Sequence, residues 1–306
     1  MQLGSKLYFI IGICIVIPAL LFGGWRVYQT WSQRQWQTNQ RLTLAWFPDQ
    51  SDIDSDIYII SYADQSITIL RLPKDVKLKI SRGYGYYPIR SLWQLGQQEH
   101  DTRILTESLT SLISSPVEYW LSSPRQCQQP TDCLKSQLRA WAFKSQNTNL
   151  PIWDRFRLWQ LTRSLRSDQI ISIDGEGTWA QTQLAPDGIE EIVFNRDVVD
   201  ARLAEKFIDP QIRTQNQPIT VINTIGTRGL ANDISRIIQG WGGLVISTYD
   251  NPTSLDTCLI RTSSLADTTA LKLSQFFECQ LEAHTEDNSE IQFWIGQNNQ
   301  IWSSQL

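Results

Sequence analysis

Residues 7–25 carry no charged side chain and lie between Lys6 and Arg26. This run of 19 residues is about what a helix needs to cross a hydrocarbon core of ~30 Å. It confines whatever folds after it to one side of a bilayer. Tyr8 and Trp25 mark the two ends, where interfacial aromatics belong. No small-x-small cleavage site follows the apolar run, so it reads as an uncleaved signal anchor. The expectation is a short tail (1–6), one membrane span (7–25), a polar stalk (26–40) and a folded remainder.

The side of the membrane is argued both ways. Arg26, Arg34 and Arg41 follow the span and only Lys6 precedes it, which by charge bias places the bulk of the chain in the cytoplasm. The cysteines point outward. Beyond the span stand Cys127, Cys133, Cys258 and Cys279, an even number in two local pairs. Disulfides Cys127–Cys133 and Cys258–Cys279 suit an exported protein, although four reduced thiols satisfy the same spacing. The reading taken is a single-pass protein of the cell membrane with most of the chain extracellular.

With 306 residues, the chain is long enough for two ordinary domains. The formal charge of −4 argues against nucleic acid as a partner, which calls for a basic field. Apolar alternation predicts strands over 41–47, 57–62, 66–72 and 76–80. Helices are predicted over 89–96, 102–113, 134–144, 151–166 and 198–207. Residues 178–192 read as turns. A polar stretch, 209–217, begins beside Pro210 and ends beside Pro218 and reads as an interdomain linker. Beyond it the order βαββαβ predicts a ferredoxin-like module, an antiparallel sheet with both helices on one face. The fold class is thus α/β for 41–208 and α+β for 218–298.

Leu72-Pro73-Lys74-Asp75 holds a cation and a carboxylate side by side after a strand, an arrangement suited to phosphate or a metal. The three aspartates Asp52, Asp54 and Asp56 match the first calcium-loop positions, but Ile57 stands where that loop requires glycine. Neither of the two histidines, His100 and His284, neighbours a Ser or Cys nucleophile, and no Walker loop or dinucleotide fingerprint is present.

Two sets of motifs resemble the LytR-CpsA-Psr family of bacterial cell-envelope proteins. Val221-Ile222-Asn223, Gly226, Gly229-Leu230-Ala231, Gly242-Gly243 and Phe293-Trp294-Ile295-Gly296 are similar to the C-terminal domain appended to that family. Asp56-Ile57-Tyr58-Ile59-Ile60 and residues 66–75 are similar to its catalytic domain. The resemblance implies an enzyme that moves a glycopolymer from a polyprenyl-pyrophosphate carrier onto peptidoglycan. Arginines would grip the pyrophosphate and acidic residues would hold Mg²⁺. Carried over by position, Asp56, Lys74 and Asp75 become the catalytic candidates, Asp56 and Asp75 the Mg²⁺ ligands, and Arg90, Arg155 and Arg157 the ligand-binding cations.

The sequence also departs from that pattern. Lys74 replaces the loop arginine, Phe47-Pro48-Asp49-Gln50-Ser51 lacks the Asp-x-Arg expected after the first strand, and Asp154-Arg155-Phe156-Arg157 only loosely echoes the late arginine cluster. Each missing donor costs a charge-stabilising site orders of magnitude. The expectation is therefore a degenerate domain without cofactor, with a binding or scaffolding role toward the membrane and a polyprenyl-linked glycan or peptidoglycan. The alternative is an active Mg²⁺-dependent phosphotransferase.

Overall fold

A computed structural model describes residues 36, 40–48, 56–123, 130–143, 147–175, 179–184, 188, 190–284 and 290–303. The predicted tail, the span 7–25 and most of the stalk lie outside them, as do Cys127 and the side chain of Cys133. Among the described residues no helix is long and apolar enough to cross a membrane. Trp36, assigned by sequence to the stalk, is buried. Its indole meets Tyr62 edge-on at 5.5 Å and its Nε1 donates to Gln40 O at 2.8 Å.

The first module is built on a six-stranded sheet of order β7-β6-β1-β2-β3-β8. Its strands are β1 (Leu42–Pro48), β2 (Ile57–Ala63), β3 (Ser66–Leu72), β6 (Tyr119–Ser123), β7 (Asn147–Thr148) and β8 (Ile170–Asp174). β2 and β3 are nearly continuous apolar runs because both faces are covered. On one face Phe47, Ile57, Ile59, Leu70 and Leu72 pack against helices α1 (Leu92–Gln98) and α2 (Arg103–Ile113). On the other, Leu44, Trp46, Ile60 and Ile69 meet α3 (Pro130–Phe143) and α4 (Ile152–Thr162).

A second sheet of order β5-β4-β10-β9 joins β4 (Lys77–Ile80), β5 (Gly85–Pro88), β9 (Ala180–Leu184) and β10 (Glu190–Phe194). The region read as turns, 178–192, is in fact the β9–β10 hairpin. Residues 181–184 and Glu190 are exposed there, so no apolar alternation marks the strands. Helix α5 (Arg196–Leu203) follows, capped by Asn195, whose side chain accepts from the backbone N–H groups of Asp197 and Val198.

The predicted linker 209–217 is a built joint. Asp209 caps α6 (Pro210–Gln215), accepting from Gln211 N at 2.9 Å and Ile212 N at 3.2 Å. Its other partners are Lys272 Nζ at 2.7 Å and the backbone N–H of Arg41 at 3.2 Å. Ile212 is buried in the second module's core.

That module is a mixed five-stranded sheet of order β12-β11-β15-β13-β14. Its elements are β11 (Pro218–Asn223), α7 (Leu230–Gly240), β12 (Leu244–Asp250), β13 (Leu259–Thr262), α8 (Thr268–Phe277), β14 (Gln280–Ala283) and β15 (Ile291–Ile295). The ferredoxin-like expectation is corrected here. In a split βαβ another strand separates the two strands joined by a helix, but here β11 pairs directly with β12 and β13 with β14, both in parallel. Two βαβ units flank β15, which runs parallel to β11 and antiparallel to β13. The order βαββαβ omits β14 because Gln-Leu-Glu-Ala at a sheet edge has no apolar signature. Both helices lie on one face, as expected, with Ile234, Ile238 and Leu273 in a single core. Cys258 and Cys279 form a disulfide, Cα–Cα 4.7 Å, tying β13 to the start of β14.

The modules meet through α2 and α7. Arg236 donates to the carbonyls of Ser111 at 2.6 Å and Leu112 at 3.2 Å, acceptors that the end of α2 leaves over. The same guanidinium grips Asp200 through Nε at 2.5 Å and Nη2 at 2.7 Å. Gly240 makes the approach possible, since a Cβ there would stand 1.8 Å from the carbonyl oxygen of Ser114.

Candidate functional site

The β2–β3 hairpin turns on Asp64 and Gln65, both in the left-handed region at φ 47° and 58°, as a two-residue hairpin turn requires. Its register sets Tyr58 opposite Arg71 and Ile57 opposite Leu72, so Asp56 falls diagonal to Arg71 on the same face. Arg71 Nε meets Asp56 Oδ2 at 2.6 Å, and its Nη1 meets Asp174 Oδ2 on the neighbouring β8 at 3.1 Å. Asp56 Oδ1 accepts the backbone N–H of Lys74 at 3.0 Å. One carboxylate therefore holds both the strand arginine and the start of the loop.

The rest of the loop is pinned to the short turn that leaves β5. Arg90 N donates to Lys74 O at 3.1 Å, and the Arg90 guanidinium pairs with Asp75 Oδ1 at 2.6 Å. Asp56, Lys74, Asp75 and Arg90 are thus neighbours, with Asp56 paired to Arg71 and Asp75 to Arg90. Arg71 is the member that sequence reasoning missed. Folding the chain about Asp64-Gln65 would have placed it beside Asp56.

Arg155 and Arg157 do not join this group. Arg155 lies on α4, its Nη1 donating to Trp141 O at 3.4 Å in a small apolar cavity lined by Leu44, Trp120 and Leu138. Burial lowers its pKa. Leu44 pairs with Ile60, in the middle of the sheet. Arg157 lies over the Trp36 ring, 5.8 Å from its centroid, beside Tyr62. That is the far end of β2 from Asp56, roughly 20 Å away at 3.3 Å per residue.

Both Asp56 oxygens accept N–H donors and one Asp75 oxygen holds Arg90. A magnesium ion, which takes carboxylate oxygens in octahedral geometry, would have to share them with these donors. Among the described residues no three His, Cys, Asp or Glu side chains gather at metal-binding distance. The neighbouring loop arginine, Arg82, is equally committed, to Glu107 through Nε at 2.8 Å and Nη2 at 2.6 Å, and to Asp101 at 2.9 Å.

No family model matches the sequence, and no curated protein matches it. Solved structures of LytR-CPS2A-psr proteins are similar to part of the chain. The family member YwtF (TagT) of Bacillus subtilis, solved with bound octaprenyl pyrophosphate lipid, aligns over 55% of this chain and 89% of its own at 11% identity, TM-score 0.38. Bacillus subtilis TagV aligns over 53% of this chain and 94% of its own at 8% identity, TM-score 0.39. The Bacillus subtilis transcriptional regulator yvhJ does so over 55% and 98% at 10% identity, TM-score 0.40. At such scores the likeness assigns no activity.

Proposed function

We propose that this chain is a membrane-tethered, non-catalytic binding protein of the bacterial cell envelope, carrying a LytR-CpsA-Psr-type domain whose transfer site is spent. One observation carries the reading: both Asp56 oxygens are engaged, by Arg71 and the Lys74 N–H, Asp75 pairs with Arg90, and Arg155 and Arg157 lie elsewhere on the sheet. Pyrophosphate recognition calls for convergent guanidinium groups with open donors. The envelope assignment is supported by the two motif sets, in order along the chain. The apolar run 7–25 supports the tether, and the Cys258–Cys279 disulfide supports export, since such bonds persist in oxidising compartments.

The test is transfer from a polyprenyl-pyrophosphate-linked glycan by the full chain in detergent micelles with Mg²⁺, alongside binding of labelled polyprenyl pyrophosphate before and after Lys74→Ala. The expected result is no transfer. Mg²⁺-dependent transfer abolished by Lys74→Ala would instead establish an active phosphotransferase, a reading favoured by the exposure of the Asp75–Arg90 pair, 61% and 40%.

A further inference from the structure

Helix α4 carries apolar side chains on its outer side. Asp154, Leu158 and Thr162 form its buried side. On the opposite side, Ile152, Phe156 and Arg163 fall within about 40° of one another on an ideal helix. Ile152 is 49% exposed and Phe156 is partly exposed, where a solvated helix carries polar residues. Trp159 borders this stripe, half-buried, with its ring 5.4 Å from that of Phe156. The Arg163 guanidinium lies over the Trp159 ring, 5.8 Å from its centroid.

The charge around the stripe is positive. Residues 152–169 hold Arg155, Arg157, Arg163 and Arg166 against Asp154 and Asp168. Asp154 is buried. Asp168 pairs with Arg166 at 3.2 Å, both side chains open to solvent at 68% and 75%, so water screens that pair. Among the described residues no carboxylate pairs with Arg163. The path of the chain puts this helix near the bilayer. Trp36 packs on Tyr62 and lies beneath the Arg157 guanidinium, so the chain enters the first module beside α4. Trp36 stands 11 positions after Trp25, the last residue of the apolar run. Even fully extended, that connection reaches at most about 40 Å, roughly the width of one such module. Residues 1–48 contain no Asp or Glu, so the stalk has no charge to match these arginines, whereas an anionic surface does.

We propose that the outer stripe of α4 docks on the surface of the bilayer, on the leaflet from which the chain emerges. Ile152 and Phe156 enter the headgroup region with the edge of Trp159, as interfacial apolar and aromatic side chains do. Arg163 and Arg166 hold the phosphates of anionic lipids. The first module then lies against the membrane instead of standing off it on its stalk. That a bilayer is within reach rests on the tether proposed above. The stripe itself rests on its own side chains and is separate from the Leu72–Asp75 loop.

The test places an environment-sensitive fluorescent amino acid at Gln160, which is exposed on the outer side of α4, in the full chain. The chain is studied in detergent micelles, in phosphatidylcholine vesicles and in vesicles that also contain phosphatidylglycerol. The emission is expected to shift to the blue only with phosphatidylglycerol, and to return at high salt, which screens the arginines. Arg163→Gln and Arg166→Gln should each lower the docking constant about fivefold. Ile152→Gln, at an exposed position, should weaken docking with the melting temperature unchanged, so that a folding defect cannot decide the matter. Arg202→Gln, exposed on α5, should leave it unchanged. Emission indifferent to phosphatidylglycerol, or to all three substitutions on α4, overturns the proposal. An equal blue shift in micelles and in both kinds of vesicle also overturns it, and shows the stripe covered by the protein's own stalk. Flotation of the vesicles after a carbonate wash reads the tether separately. Loss of flotation overturns the tether, and a blue shift on phosphatidylglycerol vesicles that survives that loss leaves the docking standing.

Discussion

Asp56 and Asp75 are separated by one hairpin and experience different surroundings. The Asp56 side chain is 17% exposed and accepts from two donors, whereas Asp75 is 61% exposed with one partner. Removing a covered acceptor strands the donors it served, while an exposed ion pair contributes little. Asp56→Ala should therefore cost about 2 kcal/mol and Asp75→Ala under about 1 kcal/mol in urea unfolding. Equal losses would mean that Asp56 does not organise the loop.

Glu118 is a carboxyl whose surroundings set its protonation. Burial, with Asp209 adding and Lys272 opposing, pushes its carboxyl up to about 8. The unfolded chain releases that proton near pH 4.3. Between about pH 4.3 and 8 the folded state holds more protons, so this group's contribution is complete below that window and is lost as pH rises through it. Glu118→Gln should raise the urea midpoint more at pH 8 than at pH 5, and a uniform change at both would refute the assignment.

Among the elements, the apolar strands of the first module and the amphipathic α7 are readable from sequence because burial on one or both faces dictates their residues. β5, β9, β10 and β14 are not. Each is short and largely exposed, so no apolar alternation marks it. Arg71 was hidden because its role exists only once the hairpin register is set. The neighbourhood of Asp56, Lys74 and Asp75 could be read because it is local. The separation of Arg155 and Arg157 from it could not, because it depends on which end of the sheet α4 crosses. The pairing of Cys258 with Cys279 spans 21 residues and closes the β13–α8–β14 unit. Its reduction should cost roughly 2–4 kcal/mol and lower the melting of the second module first, visible by calorimetry as a split transition with added reductant. A single unsplit transition would mean that the modules unfold together.

Across the whole molecule, the modules are joined by the Asp209–Lys272 and Arg196–Asp233 pairs and, where α2 meets α7, by the Arg236 guanidinium and the close approach at Gly240. Arg236→Met would strip the Arg236 donors from two carbonyls and from the Asp200 carboxylate, which would keep only Ser114 Oγ, at a cost of roughly 2–4 kcal/mol. Gly240→Ala would force a methyl group against the carbonyl of Ser114, at about 1–3 kcal/mol. Both should increase proteolytic cutting between residues 204 and 217 while leaving the Cys258–Cys279 bond intact. Unchanged cutting would mean that the Arg236 and Gly240 contacts do not secure the joint.

Arg41 gives this joint a mechanical property. It stands immediately before β1, and its guanidinium donates to Ile208 O at 2.6 Å, Lys206 O at 2.8 Å and Ser61 Oγ at 2.6 Å. β1 lies inside the sheet between β6 and β2. Tension entering through the residues ahead of Arg41 would thus load an interior strand in shear, stressing its ladder bonds together instead of peeling them singly from an edge. The Arg41 clasp would share that load with the joint before any strand slipped, so a pull on the leading end would be felt at the connection to the second module before the sheet gave way.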